Sequence, residues 1–383
     1  MKSIYKSYST FCSKLRQQQL LRQLPKTRQF RYDFSSNDYL GLSQHPALIQ
    51  AAIAMADKSG VGSKASRLIA SDQAVFHALE HSIAQYKHSQ AALIFSSGFQ
   101  ANISVLSALL DSKVLGAAPL VFADRLNHAS MHVACQLSHI KQQRFYHADY
   151  DHLRYLLEKH KSSTQPKFIL TESVFGMDGD QACLSTLIDL AKKYNAMLYV
   201  DEAHATGLLG KQGYGLTEDY GSEIDVSMGT FSKALGGSGA YVACSHVLKR
   251  YFINRCQGFI FSTAPSLMQV AAMQAAWELV PDLQPQAKAL MQQAERCRAT
   301  LQSLGFDTGL SSTHIIPIIF KEPEKTLKAQ AFLARRGIRV SAIRPPSVGP
   351  NQSRLRIALN VNHTEEAILA LIEGLTEYRK HQL

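Results

Sequence analysis

Five short, largely apolar runs, each closing on a polar residue or glycine, constrain this chain more than any other feature. They are Ala91–Phe95 before Ser96, Leu120–Ala123 before Asp124, Lys167–Thr171 before Glu172, Met197–Val200 before Asp201, and Val226–Met228 before Gly229 and Thr230. Runs of this length bounded by turn residues suit buried strands. Between them lie helical patterns at Ala74–Tyr86, from Ser96 or Ser97 to about Leu110, and at Ser185–Tyr194. Strands alternating with helices of this length predict an α/β fold. Its large, mainly parallel sheet carries helices on both faces, and ligands sit at the carboxyl ends of the strands. Asp124, Glu172, Asp201 and Thr230 fall at those ends. The passage from Phe95 through Ser96-Ser97-Gly98-Phe99 into a helix aims backbone N–H groups at an anion; taken alone, a plain helix cap at Ser96 or Ser97 explains it equally well.

After about Ala275 the pattern changes to a long helix, a strand at Ile315–Phe320, a helix near Lys325–Arg336, strands at Ile338–Ile343 and Leu355–Leu359, and a closing helix. A smaller α+β C-terminal domain is therefore expected, with an N-terminal arm over residues 1–45, a large domain over 46–275 and the small domain over 276–383. A chain of 383 residues can bury a sizeable core. Its 46% hydrophobic and 19% charged residues, without an apolar run of bilayer length, predict a cytoplasmic protein with no membrane partner. The six cysteines show no Cys-x-x-Cys or metal-type spacing and are expected to be reduced thiols. Eight basic residues and no acids precede Asp33, yet Phe11, Leu15, Leu20, Leu21 and Leu24 form an intermittent helical stripe. A structural helix docked on a core is expected there rather than a transit peptide. The net charge of +11 points to an acidic partner. No element interleaves aromatic and basic residues as nucleic-acid modules do, so nucleic acid is not expected.

The stretch Gly229-Thr230-Phe231-Ser232-Lys233-Ala234-Leu235-Gly236-Gly237-Ser238-Gly239 sets a lysine between hydroxyl residues and a glycine cluster. An amine that bonds a cofactor aldehyde must lose its proton, which needs partial burial or cationic neighbours. A lone Ser-Lys pair is more often an ordinary loop lysine. Asp201-Glu202-Ala203-His204 changes that balance, because pyridoxal phosphate acts as an electron sink only with a carboxylate fixed against its ring nitrogen. Asp201, His204 and Lys233 occur in the order sink-holder, ring-hydroxyl partner, amine. His128, beyond the strand ending at Asp124, is placed to stack on the ring or touch a substrate carboxylate. Competing motifs are incomplete: Gly237-Ser238-Gly239 lacks the last glycine of a dinucleotide fingerprint, and Gly210-Lys211 lacks the leading glycine and trailing hydroxyl of a P-loop. No metal-ligand spacing occurs, so no catalytic metal is expected.

Ser36-Asn37-Asp38-Tyr39-Leu40-Gly41, Ser97-Gly98-Phe99, Asn127-His128-Ala129-Ser130, Glu172-Ser173-Val174-Phe175-Gly176-Met177-Asp178-Gly179, Asp201-Glu202-Ala203-His204, Thr230-Phe231-Ser232-Lys233 and Arg354-Leu355-Arg356 lie in collinear order over nearly the whole chain. Together they resemble the α-oxoamine synthases, which are fold-type-I pyridoxal-phosphate transferases. Members of that family join glycine to succinyl- or acetyl-CoA, serine to a long acyl-CoA, or alanine to a pimeloyl thioester. Ala342-Ile343-Arg344-Pro345-Pro346-Ser347-Val348 is most similar to the last group. That implies L-alanine and a pimeloyl thioester, carried by CoA or an acyl carrier protein, as substrates in biotin synthesis. Another member, such as a glycine C-acetyltransferase, is the alternative.

The resemblance also implies roles. Lys233 would hold the cofactor and act as acid and base, Asp201 would pair with the ring nitrogen, and His204 and Ser173 would lie near the ring hydroxyl. His128 would stack on the ring and meet substrate, Gly98 and Phe99 would present backbone to the phosphate, and Thr230 would bond it. Arg356 would hold the alanine carboxylate, with Arg22 and Asn37 as further substrate contacts. Ala358 stands where some members carry a hydroxyl that touches substrate, and Lys64-Ala65 interrupts a loop that is glycine-rich in many relatives. Thr263, after Phe261-Ser262, resembles a residue lent to the partner subunit's phosphate, which implies a homodimer with shared active sites.

Overall fold

The computed structural model describes residues 2–24 and 29–380. Its strands, in chain order, are β1 Tyr32–Asp33, β2 Ala91–Phe95, β3 Leu120–Asp124, β4 Gln142–Phe145, β5 Lys167–Glu172, β6 Ala196–Asp201, β7 Val226–Thr230, β8 Ala240–Cys244, β9 Ile315–Lys321, β10 Ile338–Arg339, β11 Ser341–Ile343 and β12 Ser353–Ala358.

Contacts divide the chain into two units. One comprises Asn37–Gly176 and Asp180–Ala289; the other comprises Met1–Ser36, Met177–Gly179 and Leu290–Leu383. The limits suggested by the sequence, 45 and 275, are drawn differently. β1 pairs with β10, so the arm's strand groups with the C-terminal residues, and the second limit falls inside the helix Gln284–Ser303.

The first unit is built on a seven-stranded sheet of order β2-β8-β7-β6-β5-β3-β4. The pairs β3–β4, β3–β5, β5–β6 and β6–β7 are parallel, whereas β8 runs antiparallel to both β2 and β7. Every residue of β2, β5, β7 and β8 is buried, as strands covered on both faces must be. The two-residue period divides the core. Val121, Ala123, Phe168, Leu170 and Tyr199 join the cluster of the helix Gly98–Leu109, while Phe122, Ile169, Leu198 and Val200 join that of the helix Leu184–Lys193. Each fully buried Leu or Phe contributes roughly 1.5–3 kcal/mol by leaving water. β4 escaped the sequence reading because Gln142-Gln143-Arg144 is a polar edge on which only Phe145 is buried.

The second unit holds the three-stranded antiparallel sheet β11-β12-β9, with β12 buried throughout, and the parallel pair β1–β10. The single strand expected over Ile338–Ile343 is two, because the chain leaves β1 and joins β12 on either side of Val340. Gly179 belongs here: its carbonyl accepts from Ser312 N, Thr313 N and Thr313 Oγ1. Its φ is +74°, and a Cβ would lie 1.9 Å from the Ile315 oxygen, so only glycine fits. The N-terminal helix forms over Ser3–Gln17, but its stripe is not docked as expected. Phe11 is 62% and Leu24 94% exposed, and only Leu15, Leu20 and Leu21 are half-buried, around the turn at Gln19. No helix among the described residues is long and apolar enough to cross a membrane.

Candidate active site

The carboxyl ends of β5, β6 and β7 open on a cavity of about 220 Å³ lined by Gly98, His128, Glu172, Asp201, His204 and Lys233, among others. Lys233 follows β7 on a loop closed by bonds from Phe231 N to Gly239 O, Gly237 N to Phe231 O and Gly236 N to Lys233 O. Phe231 is wholly buried while Lys233 is half-buried, so the loop is anchored and the amine reaches the cavity. Lys233 Nζ lies 2.9 Å from His204 Nε2, and His204 Nδ1 lies 2.8 Å from the Tyr39 hydroxyl, which donates to Asn37 Oδ1 at 3.0 Å. A Cβ at Gly176 would stand 2.2 Å from His204 Nε2, so glycine there leaves the imidazole its place. Asn37, His204 and Lys233, given roles from sequence, are thus joined through Tyr39, which stood in its motif without one.

Asp201 ends β6 and is buried. Its Oδ1 accepts from Ala203 N at 2.9 Å and its Oδ2 from Asn102 Nδ2 at 2.7 Å. The sequence reading missed Asn102. The available signal was an amide on the helix face it shares with Val105, Leu106 and Leu109, where it is ill placed without a partner. Glu172, at the end of β5, is the register partner of Asp201. Burial, and after it the Asp201 charge, pushes the Glu172 carboxyl well above the usual carboxylate range, with Lys233 opposing. His128 caps the helix Ala129–Leu137 through its side chain, and Phe99 meets its ring edge-on at 6.4 Å. Desolvation holds His128 below the ordinary imidazole value against the pull of the Asp201 charge, with Lys233 adding a smaller push downward.

The helix Gly98–Leu109 starts at the cavity, so the amides of Gly98 and Phe99 are first-turn donors beyond reach of a helical carbonyl. Thr230 lines the cavity too, with its hydroxyl donating to Gly239 O at 2.9 Å and lying 2.7 Å from Ser232 Oγ. Ser173 is fully buried behind Glu172, and its Oγ has no hydrogen-bond partner among the described residues. Thr263 is not brought to this cavity. It lines a separate small pocket with Arg67 and Ser96, where its carbonyl accepts from Ser96 Oγ at 3.4 Å.

The other proposed substrate residues lie in the second unit. Arg356 and Ala358 are buried on β12, and Ala358 N donates to Phe34 O. Arg22 is exposed and donates from Nη2 to Ser347 Oγ at 3.2 Å and to the Arg344 and Pro345 carbonyls at 3.5 Å each, clasping the turn that follows β11. Lys64 adopts φ +65°, a conformation that glycine would take more readily, so the interrupted loop keeps a glycine-like backbone.

The side chains around the cavity suit pyridoxal phosphate. A lysine amine, a hydrogen-bonded carboxylate, an imidazole, two first-turn amides and a hydroxyl are the groups its aldehyde, ring nitrogen and phosphate would need, and the orphaned Ser173 hydroxyl is a buried donor with room for an acceptor.

Comparison with known proteins agrees. A model of the family described as aminotransferase class I and II matches residues 32–375. A Magnetococcus marinus protein named as a putative 8-amino-7-oxononanoate synthase is 46% identical over 377 residues, 96% of this chain and 95% of the relative. Among solved structures, 8-amino-7-oxononanoate synthase from Francisella tularensis matches with a TM-score of 0.78 at 27% identity, over 92% of this chain and 98% of its own. SPT with a pyridoxal-phosphate internal aldimine matches at 0.85 and 25% identity, over 91% and 87%. Fold, cavity and comparisons converge, and the chain belongs to the pyridoxal-phosphate-dependent aminotransferase class I and II family, among its 8-amino-7-oxononanoate synthases.

Proposed function

We propose that this chain is an acyltransferase that condenses L-alanine with a pimeloyl thioester, releasing carbon dioxide and the thiol carrier, to give 8-amino-7-oxononanoate for biotin synthesis. The observation that carries the reading is that the Lys233 amine and the Asp201 carboxylate open on one cavity at adjoining strand ends.

Bound pyridoxal phosphate supplies an electron sink for the charge that builds on the amino acid's α-carbon. Lys233 would hold the aldehyde and, once the amino acid's own amine had displaced it, would take and return the α-proton at Nζ, which His204 orients. Asp201, fixed by Asn102 and the Ala203 amide, keeps a proton on the ring nitrogen. Gly98 and Phe99 amides with Thr230 would hold the phosphate, Ser173 and His204 would serve the ring hydroxyl, and His128 would cover the ring. We assign the alanine carboxylate to the planar fork of Arg356, and further substrate contacts to Asn37, Arg22 and Ala358.

A homodimer with shared active sites belongs to the same proposal. It is supported by Thr263, which lies away from its own chain's cavity and is free to serve a partner's phosphate. The net charge of +11 supports docking of an acidic acyl carrier protein. The free state of the six cysteines supports a reducing, cytoplasmic location.

The test is carbon dioxide release from alanine, glycine and serine, each offered with pimeloyl, acetyl and succinyl thioesters. Alanine with the pimeloyl donor should be turned over fastest. Faster release from glycine with the acetyl donor would overturn the assignment in favour of a glycine C-acetyltransferase.

A further inference from the structure

Tyr199, Asn102 and Ser130 are uncharged, 0%, 1% and 0% exposed, and join Asp201 to His128. The direction of each bond among them is decided by which atoms can donate. An ionised carboxylate only accepts, so the Asn102 atom 2.7 Å from Asp201 Oδ2 is Nδ2. Asn102 Oδ1 then accepts from the Tyr199 hydroxyl at 2.6 Å, and it is the carboxylate on the other side that holds the amide against flipping. The second hydrogen of Nδ2 goes to Ser130 Oγ at 2.9 Å. Ser130 Oγ accepts there and has its own hydrogen to give, and His128 Nδ1 lies 2.6 Å away. The backbone amide of Ser130 also points at that nitrogen, at 3.3 Å. With two donors converging on it, Nδ1 is an acceptor and the ring hydrogen resides on Nε2.

We propose that Asn102 and Ser130 are positioning residues that lock His128 as its neutral Nε2–H tautomer, offering a hydrogen-bond donor to the cavity, while the same amide fixes the orientation of the Asp201 carboxylate. Asn102 does this without adding charge beside Asp201, Glu172, His204 and Lys233, the ionisable groups that share the cavity with His128. The kinetic consequence rests on the synthase reading above; the tautomer does not.

The experiment is nitrogen-15 spectroscopy of the holoenzyme labelled at histidine, with the His128 pair identified by its loss in His128→Gln. Between about pH 6 and 8, across the range where imidazoles ordinarily titrate, the wild type should show His128 with an unprotonated Nδ1 and a protonated Nε2. In Ser130→Ala the two shifts should move toward each other as the second tautomer becomes populated. In the same variant kcat should fall about tenfold with KM for both substrates within about twofold, the scale of one lost buried hydrogen bond. Asn102→Leu, which keeps the volume and removes the amide, should bind pyridoxal phosphate about tenfold more weakly in an absorbance titration. A protonated Nδ1 in the wild type, or His128 shifts unmoved in Ser130→Ala, overturns the proposal. Should Ser130→Ala not fold, the wild-type spectrum alone decides. The stated tautomer in a protein that turns over none of the substrates would leave the relay standing and remove the synthase reading.

Discussion

Two strand ends of the seven-stranded sheet treat their buried carboxylates in opposite ways. Beyond β3 and β4, His147 lies between Asp124 and Asp180, with Nδ1 3.0 Å from one and Nε2 2.8 Å from the other. Burial opposes charge on this ring, yet the two carboxylates carry His147 up to about 10. At the ends of β5 and β6, Glu172 and Asp201 stand side by side, and Asp201 is met by a neutral amide and a backbone N–H. The first place supplies its cation from within and clamps the segments that carry Asp124 and Asp180. The second leaves charge to be settled, with a half-buried amine and about 220 Å³ of space beside it. Where a fold leaves carboxylates facing open space rather than clamped on either side of a cation, a ligand can complete the balance, and that distinguishes a site from a structural clamp.

The largest effect that could break this contrast lies at the open end. Lys233→Ala should lower carbon dioxide release by at least about 10⁴-fold, as losing both the covalent amine and the acid–base group implies. The absorbance band near the visible edge should disappear with it. A variant that keeps a visible band abolished by borohydride would place the amine elsewhere.

At the closed end, His147→Gln should destabilise the fold by about 3 kcal/mol, because two buried carboxylates lose their cation. With its folded value raised, His147 contributes stability that is fully present below 6.5 and is lost as pH rises through about 10. Thermal unfolding of wild type and variant should therefore converge toward pH 10, and a constant gap would contradict the ion-pair account.

The smallest effect sharpens the comparison. Because burial and Asp201 favour the protonated form of Glu172, Glu172→Gln is close to isosteric with it and should change kcat/KM by less than about threefold, or under 1 kcal/mol. The native proton on Glu172 is one the unfolded chain releases above 4.5. Its contribution to stability is full below that value and declines as pH rises, so the variant's unfolding midpoint should fall less than that of the wild type on going to neutral pH. An equal fall in both would show that Glu172 is ionised.

The legible part of this site consisted of residues at strand ends. Asp201, Lys233 and Glu172 follow apolar runs that announce themselves in one dimension, and the structure places them where a parallel sheet must. His128 and His204 were legible as companions in short motifs. Asn102 was not, since its carboxylate partner is 99 positions away, nor was Tyr39, 165 positions from His204. The N-terminal helix was correctly expected as a helix, but its cover was not, because a stripe of apolar residues states a preference for burial without naming a surface.

Periodicity and turn residues were enough to determine the alternation of strands and helices, hence which residues gather at one edge of the sheet, because backbone geometry and burial act over a few positions along the chain. The tertiary structure alone decided the partners that hold His128 and Asp201, the closure of Asp124 and Asp180 around His147, and the placing of Thr263 in a pocket apart from the cavity of its own chain. Those outcomes depend on groups remote in sequence competing for the same few acceptors, and only folding brings such groups within the roughly 3 Å over which a hydrogen bond operates.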